Sequence, residues 1–307
     1  MNAARHDRDW WLGVAALVLC ALLWSLNGPL IKLLHARGGV SGEAIAAYRS
    51  LVGGVVFLLP AWRRRATLRQ VARGWPIGSL VCFTLMTACF VKATTMTAAA
   101  NAIVLQYTSP IWVFALSPLL LGVRPRWADG VWLAPAMAGV AVILAWQWST
   151  DLLGLIVALG SGLGYGALTI TLRGLRNVDP TVVVAINFLG SGLLLLPWGL
   201  ASGMAVAADQ IWLVLSLGIV QFSLPYVIFS WALRRVDAHH AALIVLLEAV
   251  LNPVLTWLVV GEAVPAATLA GGPLIMLGVV GWMIATWRSQ ERSRAEASAD
   301  APPPPPA

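Results

Sequence analysis

Two charged side chains lie well inside long apolar runs of this sequence, Arg49 and Glu248. A charge at the bilayer centre costs about 2.5 to 3.5 kcal/mol on insertion scales, so it faces a cavity or a partner. Glu248 is the one carboxylate at such depth, near the middle of the run 239–260. It reads either as a protonatable group that couples movement of a solute to a proton gradient or balances a cation, or as an acid that only hydrogen-bonds between helices. Arg49 lies seven residues in from the start of its run at 42. There, snorkelling or a pair with a carbonyl would satisfy it. If it acts on a ligand, its planar fork suits a carboxylate.

Uncharged polar and aromatic residues gather at a similar depth. Trp24 and Asn27 stand three apart on one face of the first run, Gln106 and Tyr107 lie mid-way along the fourth, Tyr165 mid-way along the sixth, and Gln221 and Tyr226 flank the middle of the eighth. Aromatic walls with a few placed amides are the usual lining of a small-molecule pocket. Each residue alone also reads as interhelical hydrogen bonding. As a set they form the candidate binding group.

These side chains need a membrane scaffold to hold them. Hydrophobic residues make up 59% of the 307, charged residues 11%, and the mean hydropathy is +0.81. The chain is expected to be an all-α integral membrane protein. With about 20 apolar residues per span, ten spans are expected: 11–34, 42–62, 74–93, 99–121, 128–147, 152–173, 181–200, 210–233, 239–260 and 267–287. The first is too long and too bulky for a cleaved signal sequence.

An offset of 139 positions aligns the two halves. Phe83 meets Phe222, Phe90 meets Phe229, Leu116 meets Leu255, Gly122 meets Gly261, Gly139 meets Gly278 and Trp148 meets Trp287. Five spans per half is an odd number, so the second copy enters the bilayer upside down. Inverted repeats recur in secondary transporters, with the substrate site near the midplane. The expected organisation is a cytoplasmic start over 1–10, a first repeat over 11–147, a second over 152–287, and a polar, Pro-rich tail over 288–307 that composition assigns to disorder.

The net charge of +7 is distributed by topology. With the N-terminus inside, sixteen of twenty basic residues, including Arg63, Arg64, Arg65, Arg69, Arg73, Arg124, Arg126, Arg173, Arg176, Arg234 and Arg235, fall on the cytoplasmic side, as the positive-inside rule expects. Both termini are then cytoplasmic. No clustered basic face on a folded module suggests nucleic acid. Cys20, Cys82 and Cys89 read as apolar fillers, with no spacing for a metal or a disulfide. Neither a metal nor a cofactor is expected.

Prolines 29, 110, 118, 135, 225, 253 and 273 interrupt apolar runs, and Pro110 and Pro225 lie nearest the polar residues. A helix breaker in lipid is tolerated where protein or cavity water satisfies the freed carbonyl. Gly160, Gly164, Gly166, Gly190 and Gly192 supply small surfaces for close helix packing.

The stretch LLWSLNGPLIKLL over 22–34, AAYRS around Arg49, KATTMTAAANAIVLQYTSPIW leading into the fourth run, and RRVDAHHAALIVLLEAVLNPVLTWLVVGE in the second half carry a resemblance. They resemble the drug/metabolite transporter superfamily, in its ten-helix form built from two EamA domains, over about 11–287. The resemblance implies an exporter in the inner membrane with a central cavity lined by helices 1, 3, 4, 6, 8 and 9. It also implies outward movement of amino acids, other metabolites or drugs, with the exporters of neutral and aromatic amino acids nearest. The sequence departs from the family in Glu248-Ala249, where Glu-Pro is common, and in Gly122-Val123, where Gly-Glu is usual.

No GxxxxGK[ST] run suggests an ATP-driven pump. Ser161, Ser191, His239 and His240 could belong to an intramembrane enzyme, but no nucleophile motif surrounds them. The expected partners are a small-molecule substrate, the lipid bilayer and, if Glu248 couples, a proton.

Overall fold

The computed structural model describes residues 2–122, 130–203, 205–236 and 238–299, and every regular element among them is helical. Span 1 comprises Asn2–Ser25 and Asn27–Gly38, span 2 Gly42–Arg64, span 3 Gly74–Met96, and span 4 Ala99–Gln106 with Ser109–Leu121. Spans 5 and 6 run together as Leu133–Gly174, bent where Asp151 leaves helical geometry at φ −152°, ψ 19°. Span 7 is Pro180–Ala201. Span 8 is Ile211–Leu215, a π-helical segment Ser216–Ser223, and Leu224–Ala232. Span 9 is Ala238–Val245 with Leu247–Val260, and span 10 is Ala266–Ala299. Among the described residues nine helices are long and apolar enough to cross a membrane, and Leu133–Trp148 is a shorter apolar helix. Large apolar side chains such as Leu119, Val131 and Trp198 point outward, as a lipid-facing surface requires.

Spans 5 and 6 part at Asp151, inside the short 148–151 connection that the sequence left between them, and Thr97 Oγ1 donates to the Asp151 carboxylate there. One expectation is corrected: the last helix continues through Ala299, over residues that composition assigned to a disordered tail. Residues 300–307 lie outside the described residues, as do Arg124, Arg126 and Asp237.

The breaks in the helices have local causes. Pro29 lacks the N–H that Ser25 O would accept, and its ring crowds that carbonyl, so span 1 turns at Leu26. Pro110 does the same to the carbonyl of Gln106, and span 4 turns at Tyr107 and Thr108. Span 9 turns at Leu246, the repeat equivalent of Tyr107, although Ala249 stands where Pro110 has its counterpart. The interruption is kept without the proline.

Repeat symmetry is visible in the packing. Gly54 of span 2 lies against Leu189 of span 7, and Gly192 of span 7 lies against Leu51 of span 2; a Cβ added to either glycine would come within 2.6 Å of the leucine Cγ. Gly139 of span 5 and Gly271 of span 10 face each other's carbonyls in the same reciprocal way. Gly122 and Gly261, equivalent across the offset, both end their spans in the left-handed region, at φ 65° and 72°, where a side chain would be strained.

Candidate functional site

Arg49 is 2% exposed, so it neither snorkels nor leans on a backbone carbonyl as the sequence suggested. Its Nη1 donates to Asn27 Oδ1 at 2.9 Å and its Nε donates to Thr87 Oγ1 at 3.2 Å; Nη2 also donates to Thr87. Phe222 lies beneath the guanidinium, 4.6 Å from ring centroid to Cζ, and Phe90 lies at 5.9 Å. Both are cation–π distances. The arginine thus fastens spans 1 and 3 to its own span 2 and touches span 8 of the other half.

Asn27 can reach Arg49 because the break at Leu26 makes it the first residue of the second piece of span 1. The same break corrects the expectation that Trp24 and Asn27 share one helical face: Asn27 is buried against Arg49, while Trp24 turns to Tyr226 at 5.5 Å and Phe229 at 5.6 Å.

Glu248 opens the second piece of span 9, one residue past its start, rather than lying in an unbroken helix. It is half-buried, and its Oε2 accepts from Tyr107 Oη at 3.0 Å. Arg49, Tyr165 and Tyr226 lie within electrostatic reach of it. Arg49 and Glu248 nevertheless form no ion pair; those among the described residues are Lys32 with Glu262, Arg64 with Asp179, and Lys92 with Glu43. The arginine and the glutamate lie on inner, broken or packed spans, each held by its own partners.

Tyr165 is 36% exposed at the middle of span 6, so it borders open space. Gln221 sits in the π segment of span 8, where its Nε2 donates to Trp24 O at 3.4 Å and its Oε1 has no partner. Gln106 is half-buried on the last turn before the break in span 4, and its carbonyl lies by Gly162 of span 6. All seven expected lining residues and both charges therefore lie on the broken or central spans. Hydrogen bonds join Arg49 to Asn27 and, separately, Tyr107 to Glu248, and ring contact joins Trp24 to Tyr226.

Sequence reasoning missed Thr87, Phe188 and Asn252. Phe188 stacks on Phe222 at 4.1 Å and 10°, on Phe83 at 5.3 Å, and meets Tyr226 edge-on at 5.2 Å, so it centres the aromatic cluster. Asn252 lies one turn after Glu248, fully buried, with neither side-chain atom partnered, at the close approach of Gly28 to span 9. Its spacing of four from Glu248 was the available signal.

The two ends of the bundle differ. At one end Lys32 Nζ lies 2.6 Å from Glu262 Oε2 and donates to Thr97 O at 2.7 Å, while Glu262 Oε1 accepts from the N–H of Ala99 at 2.7 Å. That N–H is an orphan donor at the start of span 4, where a carboxylate is favoured. Beside it Asn101 Nδ2 donates to Gln147 Oε1 at 2.9 Å, and Thr268 donates to Asn101 Oδ1. These contacts tie the first half to the second.

At the arginine-rich end, Arg64 Nη1 meets Asp179 Oδ2 at 2.6 Å. Burial alone would raise the Asp179 carboxyl; hydrogen bonds from Thr181 and Arg64 outweigh it and hold it below its ordinary value. Here also lies a cavity of about 240 Å³, bordered by Leu168, Leu172, Arg176 and the rings of Phe83, Phe188 and Tyr226. It abuts the aromatic cluster that floors Arg49.

Ten spans in two inverted copies, with an arginine and a glutamate held apart among the inner spans, one end tied and the other hollow, are the architecture of a membrane transporter. The EamA-like transporter family matches residues 11–145 and 152–284, one copy in each half, and the chain belongs to that family. It is 27% identical over 273 residues to the uncharacterized transporter YwfM of Bacillus subtilis (86% of this chain, 90% of the relative), and 26% identical to an uncharacterized transporter of Archaeoglobus fulgidus (88% and 96%). It is also 26% identical to the pseudopaline exporter CntI of Pseudomonas aeruginosa (87% and 94%). A solved crystal structure with 20% identity superposes at a TM-score of 0.59 over 91% of this chain and 97% of that one, and shares the fold.

Proposed function

We propose that the protein is a secondary exporter of small zwitterionic metabolites, foremost neutral amino acids with bulky apolar or aromatic side chains, working by alternating access between its two inverted halves. One observation supports this reading: Arg49 and Glu248 lie inside the bundle without pairing with each other, beside a cluster of aromatic rings. A substrate carboxylate directed to Arg49 and an ammonium directed to Glu248 would complete both, and the rings would take an apolar side chain. A ligand with net charge would leave one of the two uncompensated in a medium where that is costly.

The arginine-rich end is the cytoplasmic one in this reading, by the positive-inside rule, so the hollow faces the interior of the cell; the outward direction across the inner membrane rests on likeness to a relative named as an exporter. An apolar wall separates one methylene by only about 1 to 3 kcal/mol, so selectivity among bulky side chains is broad. Counterflow in liposomes, with radiolabelled amino acids, sugars and nucleosides, tests the proposal. Flux of phenylalanine or leucine supports it, and flux of sugar phosphates or nucleotides with no competition from amino acids overturns it. Export of a different metabolite is the second reading, favoured by the relative named as a pseudopaline exporter.

A further inference from the structure

A second polar hollow lies at the arginine-rich end, where span 1 enters the bundle beside the end of span 8. It measures about 390 Å³ and is lined by Asp9, Trp10, Trp231, Arg234 and Arg235. The two spans are locked together here: Gly13 lies against Val236 and Arg235, and a Cβ on it would come within 2.6 Å of Val236 Cγ2. Arg235 is fixed in place, its Nη1 donating to Trp231 O at 3.0 Å and its guanidinium stacked 3.5 Å from the Trp231 ring centroid. The side chains of Asp9 and Arg234 line the same hollow, and neither has an ion-pair or hydrogen-bond partner among the described residues.

Two guanidiniums, one carboxylate and two indoles at the end of a span match a particular ligand. Indoles at this level mark the headgroup region of a bilayer. Arginine forks match phosphate oxygens, and basic pockets between spans hold lipid headgroups. A carboxylate and an indole face both attract an ammonium. We propose that this hollow binds the phosphoethanolamine headgroup of a phospholipid, with the phosphate on Arg234 and Arg235 and the ammonium between Asp9 and Trp10. Asp9 repels a headgroup that is only anionic, so the site prefers phosphatidylethanolamine to phosphatidylglycerol. The acyl chains lie along the exposed apolar flank of Trp11, Leu12 and Val227. The assignment does not depend on what the central site transports.

Native mass spectrometry of the full-length protein in detergent, offered equimolar phosphatidylethanolamine and phosphatidylglycerol, tests it. The expected result is one retained phosphatidylethanolamine per chain. Occupancy falls at least about tenfold in Arg234→Gln/Arg235→Gln, since each basic residue at the interface is worth about fivefold. Asp9→Asn keeps lipid bound but reverses the preference toward phosphatidylglycerol. Arg63→Gln/Arg65→Gln, at the same end but outside the hollow, leaves occupancy unchanged. Equal retention of both lipids by the unaltered protein, or undiminished retention by the double arginine variant, overturns the proposal. If the double variant does not fold, Asp9→Asn decides alone: an unchanged preference rejects the site.

Discussion

Phe83 and Phe222, which occupy the same position in the two halves, meet each other at the centre of the protein with ring centroids 6.0 Å apart. Equivalent positions touch when they lie close to the axis that relates two inverted copies. Phe188 inserts beside both, and Arg49 rests on Phe222. The pseudo-symmetry axis therefore passes close to Arg49, at the kind of place where inverted-repeat transporters hold their substrates.

Topology is the first prediction. If the arginine-rich end is cytoplasmic, single cysteines placed at Asp151 and Asp209 in a cysteine-free background react with an impermeant thiol reagent in intact cells, and one at Arg64 does not. The reverse pattern would invert the assignment.

Glu248 is expected to be the coupling acid. Glu248→Gln keeps the hydrogen bond with Tyr107 within reach but carries no proton across a gradient. Substrate exchange across the membrane should persist while accumulation driven by a pH gradient is lost. Unchanged pH-driven flux per folded molecule would leave Glu248 with a packing role only.

Arg49 is expected to serve both the fold and the substrate. Arg49→Lys keeps the charge but loses the fork that reaches Asn27 and Thr87 together. Hydrogen bonds to a charged group are worth about 1.5 to 3 kcal/mol each, so the variant should lose about that much stability and bind substrate about ten- to a hundredfold more weakly. Thermal unfolding with and without substrate separates the two effects.

The contact between Lys32 and Glu262 should hold its end of the bundle shut. Their side chains are 18% and 25% exposed, so solvent screening limits the coupling to about 1 kcal/mol. In a cysteine-free background carrying a cysteine at Ala100, Glu262→Gln should speed labelling about fivefold, and Lys32→Gln should add little to it. Independent, fully additive effects would show that the two do not act as one latch.

The ten spans were readable because apolar length is a property of composition, and the turns in spans 1 and 4 were readable from Pro29 and Pro110. The turn at Leu246 was not, because Ala249 stands where a proline would have marked it. Glu248 was visible as a lone acid, but its partner Tyr107 lies 141 residues away. Thr87 was invisible for a similar reason: a threonine in a membrane helix normally bonds its own backbone, as Thr94 does with Phe90 O. Nothing local distinguishes the one that receives an arginine from another span.

Span 8 differs from its counterpart, span 3, in one respect that duplication alone does not produce. Span 3 is α-helical without interruption, whereas span 8 carries eight residues of π-helix ending just before Pro225. A π turn closes its hydrogen bonds over one residue more than an α turn. Side chains beyond it are wound to a different bearing, so Phe90 lies sealed beside Arg49 while its counterpart Phe229 meets Trp24 at the flank. The two halves are thus built on unlike struts, and any movement that opens one end need not be the mirror image of the movement that opens the other.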